Sequence, residues 1–405
     1  MYRIDRVVGI PAVWVLSQLF GLKRLVTSPP APRSVVRNVL FIVLSEMGSM
    51  ILLAPLLDHV RREYPEATFH FITFAYTKPA LSLLRRIDDE NIWTLRITSL
   101  PAFLRDLVGL ISKLRRQPFD VVFDLELFSR ISSLISAFCR APVKAGFNNF
   151  LAEGLYRGSF VTHPITYNPH QHITKNFLSM AYALKRDRDD FPHSKVAIGD
   201  EELRLELKPL EPGMIESFRT RLLQSHPILQ HKRRWILLNP NSSQIMPLRR
   251  WPIESYAALA ERLVADGETA VLVTGNAEEK AESSFICARV PREEVVDLAG
   301  FTSMPELICL YHLSALLVSN DSGPAHFSAL AQIPTIIFFG PETPDLYGSL
   351  NPRAYHFYKH LQCSPCSTAY NQRRSPCRNN VCVKSISVDE VHQKALEILD
   401  AVPAA

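Results

Sequence analysis

Glycine is scarce in this 405-residue chain: 15 glycines stand against 29 prolines, with no period. That excludes a collagen-like repeat and points to many stiff turns. Neither a GxGxxG fingerprint nor a GxxxxGK(S/T) loop occurs. A dinucleotide dehydrogenase and a P-loop NTPase therefore both lose support. No self-similar period of the solenoid or propeller kind is visible. A strong charge of one sign is lacking too, since Lys plus Arg is 45 and Asp plus Glu is 40, a net +5. This mild basic bias suits phosphate-bearing ligands or an anionic membrane surface, and it is too weak to argue for nucleic acid. No cleavable signal peptide is evident, because the N-terminal apolar run lacks a small-residue cleavage site followed by a polar start. The compartment reads as reducing, and a framework of structural disulfides is not expected.

What is present is an ordinary globular composition, 47% hydrophobic and 21% charged, which excludes a wholly disordered chain. At roughly 100–200 residues per domain, the length predicts two domains or three. Residues 7–22 read VVGIPAVWVLSQLFGL, with Arg3 and Arg6 before them and Lys23 and Arg24 after. The run falls short of the ~20 apolar residues of a spanning helix. Its basic flanks and Trp14 suit a helix lying in a membrane surface; packing on the protein's own body and a true span are the other readings. Residues 27–32 (TSPPAP) make a stiff linker.

Two α/β series follow. In the first, strands are expected at residues 38–44, 68–74 and 120–123, with a helix over 51–62. A helical, charged stretch over about 168–230 joins it to the second. There, strands at 235–238, 270–274, 315–319 and 335–339 alternate with helices at 253–266, 304–313 and 324–331. Continuous apolar strands between helices imply two parallel, doubly wound, Rossmann-like sheets.

In such sheets ligands bind beyond the carboxyl ends of the strands. The residues expected there are 45–49, 124–126, 239–243, 275–279 and 320–326. The run Asn320-Asp321-Ser322-Gly323-Pro324-Ala325-His326 ends a strand and opens a helix. Free N–H groups and the helix dipole there form a phosphate site; an ordinary helix capped by Asp321 or Ser322 is the other reading. Arg249-Arg250-Trp251-Pro252 follows the loop that holds Ser242 and Ser243. Small hydroxyls and a cation after a strand can hold a diphosphate, while adjacent arginines are otherwise a solvated patch. Cys363, Cys366, Cys377 and Cys382 lie within twenty residues. Their spacing is compatible with a structural zinc, and equally with free or redox-active thiols or with disulfides.

Several of these runs resemble the heptosyltransferases of glycosyltransferase family 9. They are residues 38–65 (NVLFIVLSEMGSMILLAPLLDHVRREYP), 120–130 (DVVFDLELFSR), the RRWP element, and 296–344, which include AGFTSMPEL, NDSGPAH and FFGPETP. The resemblance covers roughly residues 35–399 and implies a GT-B fold, two Rossmann-like domains facing across a cleft, without a catalytic metal. Together with the N-terminal run read above as a membrane-surface segment and linker (1–33), the expected domains are an acceptor domain (34–200), a linker (201–230), a donor domain (231–385) and a C-terminal helix (386–405). The implied partners are a nucleotide-sugar donor, a lipid-linked or lipopolysaccharide glycan acceptor and a membrane surface. The place is the cytoplasmic, inner face of the cell membrane.

Carried over, Asp321, Ser322, Gly323 and His326 bind the donor diphosphate, flanked by Ser242, Ser243 and Arg249. Glu279 contacts the ribose and residues 298–302 lie by the base. The family's first loop usually reads S-x-x-G-D, its Asp the proposed base, and Ser49 stands at that position here. Glu46, three residues earlier, is the first candidate for the base and Glu126 the second, with Ser49 and Arg130 on the acceptor side. A helix-entry carboxylate is the plainer reading of Glu46. Two functions are expected from these residues: an inverting sugar transfer, or a non-catalytic module that binds nucleotide sugar or glycan.

Overall fold

The computed structural model describes residues 9–26, 35–44, 47–127, 129–147, 157–186, 194–243, 246–368, 371 and 373–401. The chain divides into two compact units, residues 1–206 with 369–373 and residues 207–368 with 374–405.

The first unit is a six-stranded sheet of order β3-β2-β1-β4-β5-β6. Its strands are β1 (Asn38–Ile42), β2 (Thr68–Phe74), β3 (Ile92–Leu95), β4 (Val121–Asp124), β5 (Val143–Phe147) and β6 (His163–Ile165). Every pairing is parallel. β1 and β2 are buried along almost their whole length because helices cover both faces of a parallel sheet. Phe41 and Phe123 stack at 5.2 Å on one face. On the other, Leu40, Ile42, Ile72 and Val122 meet Leu110 and Leu114 of the helix Leu100–Arg116 and Ile135 of the helix Arg130–Phe138.

Two expectations are corrected. The helix expected over 51–62 is two pieces, Met47–Leu52 and Ala54–Glu63. Pro55 has no N–H for the interior of a continuous helix, so it opens the second piece instead. The stretch 168–230 is not one connector. Its helix Ile173–Ala183 is largely buried in the first unit, where Thr174 Oγ1 donates to the Leu52 carbonyl at 2.9 Å. The helix Met214–Ser225 belongs to the second unit.

The N-terminal helix Gly9–Val26 packs one stripe, Val13, Leu16 and Phe20, on Leu134, Ala137 and Phe160. Gly158 makes room for it. Its φ is +79°, and a Cβ there would lie 2.6 Å from Ser17 Oγ and 2.8 Å from Val13. Among the described residues no helix is long and apolar enough to cross a membrane.

The second unit repeats the plan. Its strands are β7 (Arg234–Asn239), β8 (Thr269–Val273), β9 (Val295–Asp297), β10 (Leu316–Asn320), β11 (Thr335–Phe338) and β12 (Ala354–Phe357). They form a parallel sheet of order β12-β11-β10-β7-β8-β9. The core joins Ile236, Val271 and Val318 to Trp251 and Tyr256, and the helix Val388–Ala401 adds Val391, Ala395 and Leu399. In both sheets the order reverses at a pair of neighbouring central strands, β1/β4 and β7/β10, and such switch points are where open α/β sheets bind ligands.

Candidate active site

The loops beyond β7 and β10 lie side by side because Ser319 pairs with Asn239. Fully buried Asn320 ties them together. Its Nδ2 donates to the carbonyls of Pro240 (2.8 Å) and Asn241 (3.2 Å), and its Oδ1 accepts the Trp251 N–H (2.9 Å). The Trp251 ring is clamped against Phe338 (4.7 Å) and Tyr256 (5.0 Å), and its Nε1 donates to the Ile386 carbonyl (2.8 Å). That anchorage fixes where the two preceding arginines stand.

The arginines differ. Arg249 is buried between two carboxylates, with Nε 3.3 Å from Asp321 and Nη2 3.2 Å from Glu342. Ser367 Oγ also donates to Glu342, at 2.8 Å. Arg250 is half-buried. It donates to Ser242 Oγ (3.3 Å) and the Ser242 carbonyl (3.1 Å) and reaches Glu282 at 3.3 Å. Ser242 is buried and Ser243 half-buried in the same loop.

Beyond β10 the chain turns at Asp321 and Ser322 into the short helix Gly323–Phe327. Ser322 occupies the N-cap position, yet its side chain makes no cap bond; its Oγ donates back to the Asn320 carbonyl at 3.2 Å. The self-capped reading of this turn is thereby corrected for Ser322. His326 is buried in the helix. Beyond β8, Glu279 Oε2 accepts the Asn276 N–H at 2.9 Å, while Asn276 Oδ1 accepts those of Glu278 and Glu279. Burial pushes the Glu279 carboxyl above its usual range, a shift that the Asn276 bond only partly opposes. Beyond β9, Gly300 adopts φ +76° and donates its N–H to the Gly275 carbonyl at 2.9 Å, holding residues 298–302 beside the Glu279 turn. Arg221 lies over the Phe301 ring at 4.3 Å.

In the first unit, Ile42 pairs with Asp124, so the ends of β1 and β4 adjoin. Glu126 is buried; its Oε2 accepts the Leu44 N–H (3.0 Å) and its Oε1 the Leu127 N–H (3.1 Å). It binds the exit of β1 to the exit of β4. Asp124 forms a buried pair with Arg157 at 2.5 Å. Arg130, also buried, opens the helix Arg130–Phe138, and Ser49 is half-buried in the helix Met47–Leu52. Glu46 lies outside the described residues, as do Ser45, residues 1–8 and the linker 27–34.

All seven cysteines are free thiols; Cys363 is exposed, Cys366 and Cys377 are half-buried and Cys382 is buried. Ser375 Oγ donates to Cys366 Sγ at 3.0 Å, and Cys377 Sγ donates to the Asn379 carbonyl at 3.2 Å. Among the described residues no group of three or more His, Cys, Asp or Glu is placed to hold a metal ion. The four cysteines of the zinc reading thus form no such group in this structure, and Cys366 and Cys377 take local hydrogen bonds. Asn320 falls within the expected run 320–326, but the sequence does not single out Glu342 as a site residue. Glu342 stood in the quoted FFGPETP run, but nothing local showed that it would meet Arg249, 93 positions away.

Two parallel six-stranded sheets, each with polar loops at its switch point, define an α/β protein of the GT-B class. Residues 107–375 match the family model of Glycosyltransferase family 9 (heptosyltransferase). The chain is 24% identical over 323 residues to lipopolysaccharide heptosyltransferase 2 of Salmonella typhimurium, covering 78% of this chain and 86% of that one. It is 25% identical to lipooligosaccharide heptosyltransferase 2 of Haemophilus influenzae, covering 78% and 87%. The structure of E. coli ADP-heptose lps heptosyltransferase II superposes with a TM-score of 0.69 at 20% identity, over 89% of this chain and 98% of that one, and so shares the fold. The chain belongs to glycosyltransferase family 9 and is a glycosyltransferase.

Proposed function

We propose that the protein is an inverting glycosyltransferase that moves a sugar, heptose or a relative, from a nucleotide-sugar donor to a lipopolysaccharide-core or similar cell-envelope glycan. It works at the cytoplasmic, inner face of the cell membrane, held there through residues 7–22. The observation that carries this reading is the turn Asn320–His326, whose N-cap side chain makes no cap bond to the helix, in a chain whose curated relatives are named heptosyltransferases. Backbone N–H groups at a strand–turn–helix junction suit a diphosphate. Ser242, Ser243 and His326 add donors, Arg249 orders the loop, Glu279 takes the ribose and residues 298–302 the base. The transfer uses no catalytic metal, in keeping with the GT-B resemblance.

In the reaction the acceptor hydroxyl oxygen bonds to the anomeric carbon. The bond from that carbon to the diphosphate breaks, the diphosphate leaves with the electron pair, and a base takes the hydroxyl proton. We assign the base to Glu46. Glu126, whose oxygens hold backbone amides on both sides, positions the loop that carries it. Glu46→Gln is expected to cut turnover by about 10²–10⁴-fold with donor affinity unchanged. Retention of more than about a tenth of turnover moves the base elsewhere. The second reading, a non-catalytic module, is favoured by Ser49 at the family's Asp position. A thermal-shift screen of ADP-, UDP-, GDP- and CMP-sugars, followed by transfer assays with the donor that binds, separates the two: nucleotide binding with no transfer under any condition selects the module.

A further inference from the structure

The helix Leu100–Arg116 carries two apolar stripes. One, Phe103, Leu107, Leu110 and Leu114, packs inward on the sheet of the first unit. The other, Leu100, Leu104 and Val108, recurs at every fourth residue and faces solvent, with 59%, 50% and 68% of each residue exposed. Ile97, just before the helix, is exposed as well. Arg105, Arg115 and Arg116 are exposed on the same helix, while Lys113 lies over the Trp93 ring at 4.0 Å. Its one acidic residue, Asp106, is already bound by Arg96 at 2.6 Å.

This helix packs beside Arg130–Phe138 through Ile131 and Ile135. The helix Gly9–Val26 packs on the far side of Arg130–Phe138, through Leu134 and Ala137. With Val13, Leu16, Ser17 and Phe20 turned inward, that helix presents Ile10, Trp14, Val15 and Leu19 to solvent. Two helices that flank a third thus each expose an aliphatic or aromatic ridge. Arg140, also exposed, follows the helix between them.

An exposed apolar patch of this kind marks an interaction surface. Apolar ridges bordered by cations and a tryptophan fit the boundary between acyl chains and anionic headgroups. No described helix is long and apolar enough to cross a membrane, so such a contact lies on the bilayer surface.

We infer that the helix Leu100–Arg116 is a second membrane-docking element, which seats the first unit on an anionic bilayer together with the helix Gly9–Val26. The inference rests on the reading of a membrane-borne acceptor, and two contact lines in place of one fix the rotation of the unit about the N-terminal helix.

The test is co-sedimentation of the full chain with vesicles of phosphatidylcholine, or of phosphatidylcholine and phosphatidylglycerol in equal parts. The expected result is binding to the mixed vesicles, weaker binding to neutral ones, and release by salt. Leu104→Glu with Val108→Glu is expected to weaken binding at least about tenfold, as is Trp14→Glu with Leu19→Glu, since each pair puts charges in place of two solvent-exposed apolar side chains that the bilayer would bury. Leu104→Ser with Val108→Ser, a milder change of the same exposed ridge, is expected to weaken binding in the same direction while leaving the thermal transition in place. Unaltered vesicle binding in both Leu104/Val108 pairs overturns the inference. So does light scattering that shows wild type self-associating through this ridge without binding vesicles. Transfer to acceptor dispersed in detergent is expected to persist in all these variants. If wild type binds vesicles but transfers no sugar, the enzyme reading fails and the docking surface stands.

Discussion

Arg249 shows how far a residue's environment can redirect a charge read from sequence. Beside Arg250 it reads as a free cation for phosphate, yet in the fold it sits between Asp321 and Glu342. A buried cation flanked by two carboxylates holds loops in register, since removing any partner strands an uncompensated charge. In the donor site we propose, phosphate recognition then falls to neutral donors and to His326. A hydrogen bond to a charged group is worth about 1.5–3 kcal/mol, so His326→Ala is expected to weaken nucleotide-sugar affinity roughly 10- to 150-fold by calorimetry. Unchanged affinity removes His326 from the site. Glu279 gives a pH signature. Burial raises its carboxyl above the ordinary 4.5, and the ionised carboxylate is the stronger acceptor for the ribose hydroxyl that we assign to it. Nucleotide affinity is therefore expected to fall on acidification at a pH where an ordinary glutamate is still ionised. A raised carboxyl makes the folded state bind its proton more tightly, so this group gains stability as pH falls, and the lost affinity is not unfolding. Glu279→Gln is expected to flatten the pH profile; an unaltered slope refutes the contact.

At the scale of elements, the N-terminal helix depends on one glycine. A side chain at Gly158 would collide with Ser17, Phe160 and Val13, at a φ of +79° that itself disfavours L residues. Gly158→Ala is expected to cost at least about 1–2 kcal/mol from the backbone alone and to undock the helix. Limited proteolysis within residues 9–26 should quicken sharply, and an unchanged digestion rate argues that the helix is held some other way. The long strands were legible in sequence because they are buried on both faces. NVLFI and TFHFITF are runs rich in β-branched and aromatic residues, whereas β6 is only His-Pro-Ile and β9 only Val-Val-Asp. Such short runs, one of them with Pro164, carry no period to count. That the helix Ile173–Ala183 packs into the first unit and does not merely join the two series is not legible in sequence, because its burial comes from non-local neighbours such as Leu52. The turn at Asp321–His326 was legible because strand, glycine, proline and helix follow one another within a few residues. The Arg249–Glu342 pair was not, since it is made by chain closure.

For the whole molecule, two sheets with one strand order mean two cores that answer separately to conditions. Acid is the clearest case. His70 of the first unit is buried between Trp93 (5.3 Å) and Phe119 (5.4 Å), with Gln117 Nε2 2.9 Å from its Nε2. The same Nε2 lies 3.4 Å from Asn38 Oδ1, so its polar neighbours are neutral amides and none is a carboxylate that would favour the imidazolium. Burial, with Lys113 adding repulsion, pulls its pKa from 6.5 down to about 4. The unfolded chain therefore takes up the proton first. The stability contributed by neutral His70 is fully present above 6.5 and is lost as pH falls toward about 4. At about 1.4 kcal/mol per unit the loss is about 3 kcal/mol. Burial also holds His226, His312 and His392 of the second unit below 6.5, so both units weaken in acid, and the share due to His70 must be read as a difference. Denaturant titrations of wild type and His70→Phe across this range, followed by the fluorescence of Trp93, isolate it. The variant is expected to lose less stability than wild type by about 3 kcal/mol on going from neutral to acid pH. Nucleotide that binds the second unit at a hundred times its Kd should add about 2.7 kcal/mol to that unit and leave the Trp93 midpoint where it was. Parallel acid slopes in the two proteins would show that His70 is protonated in the folded state, contrary to its packing.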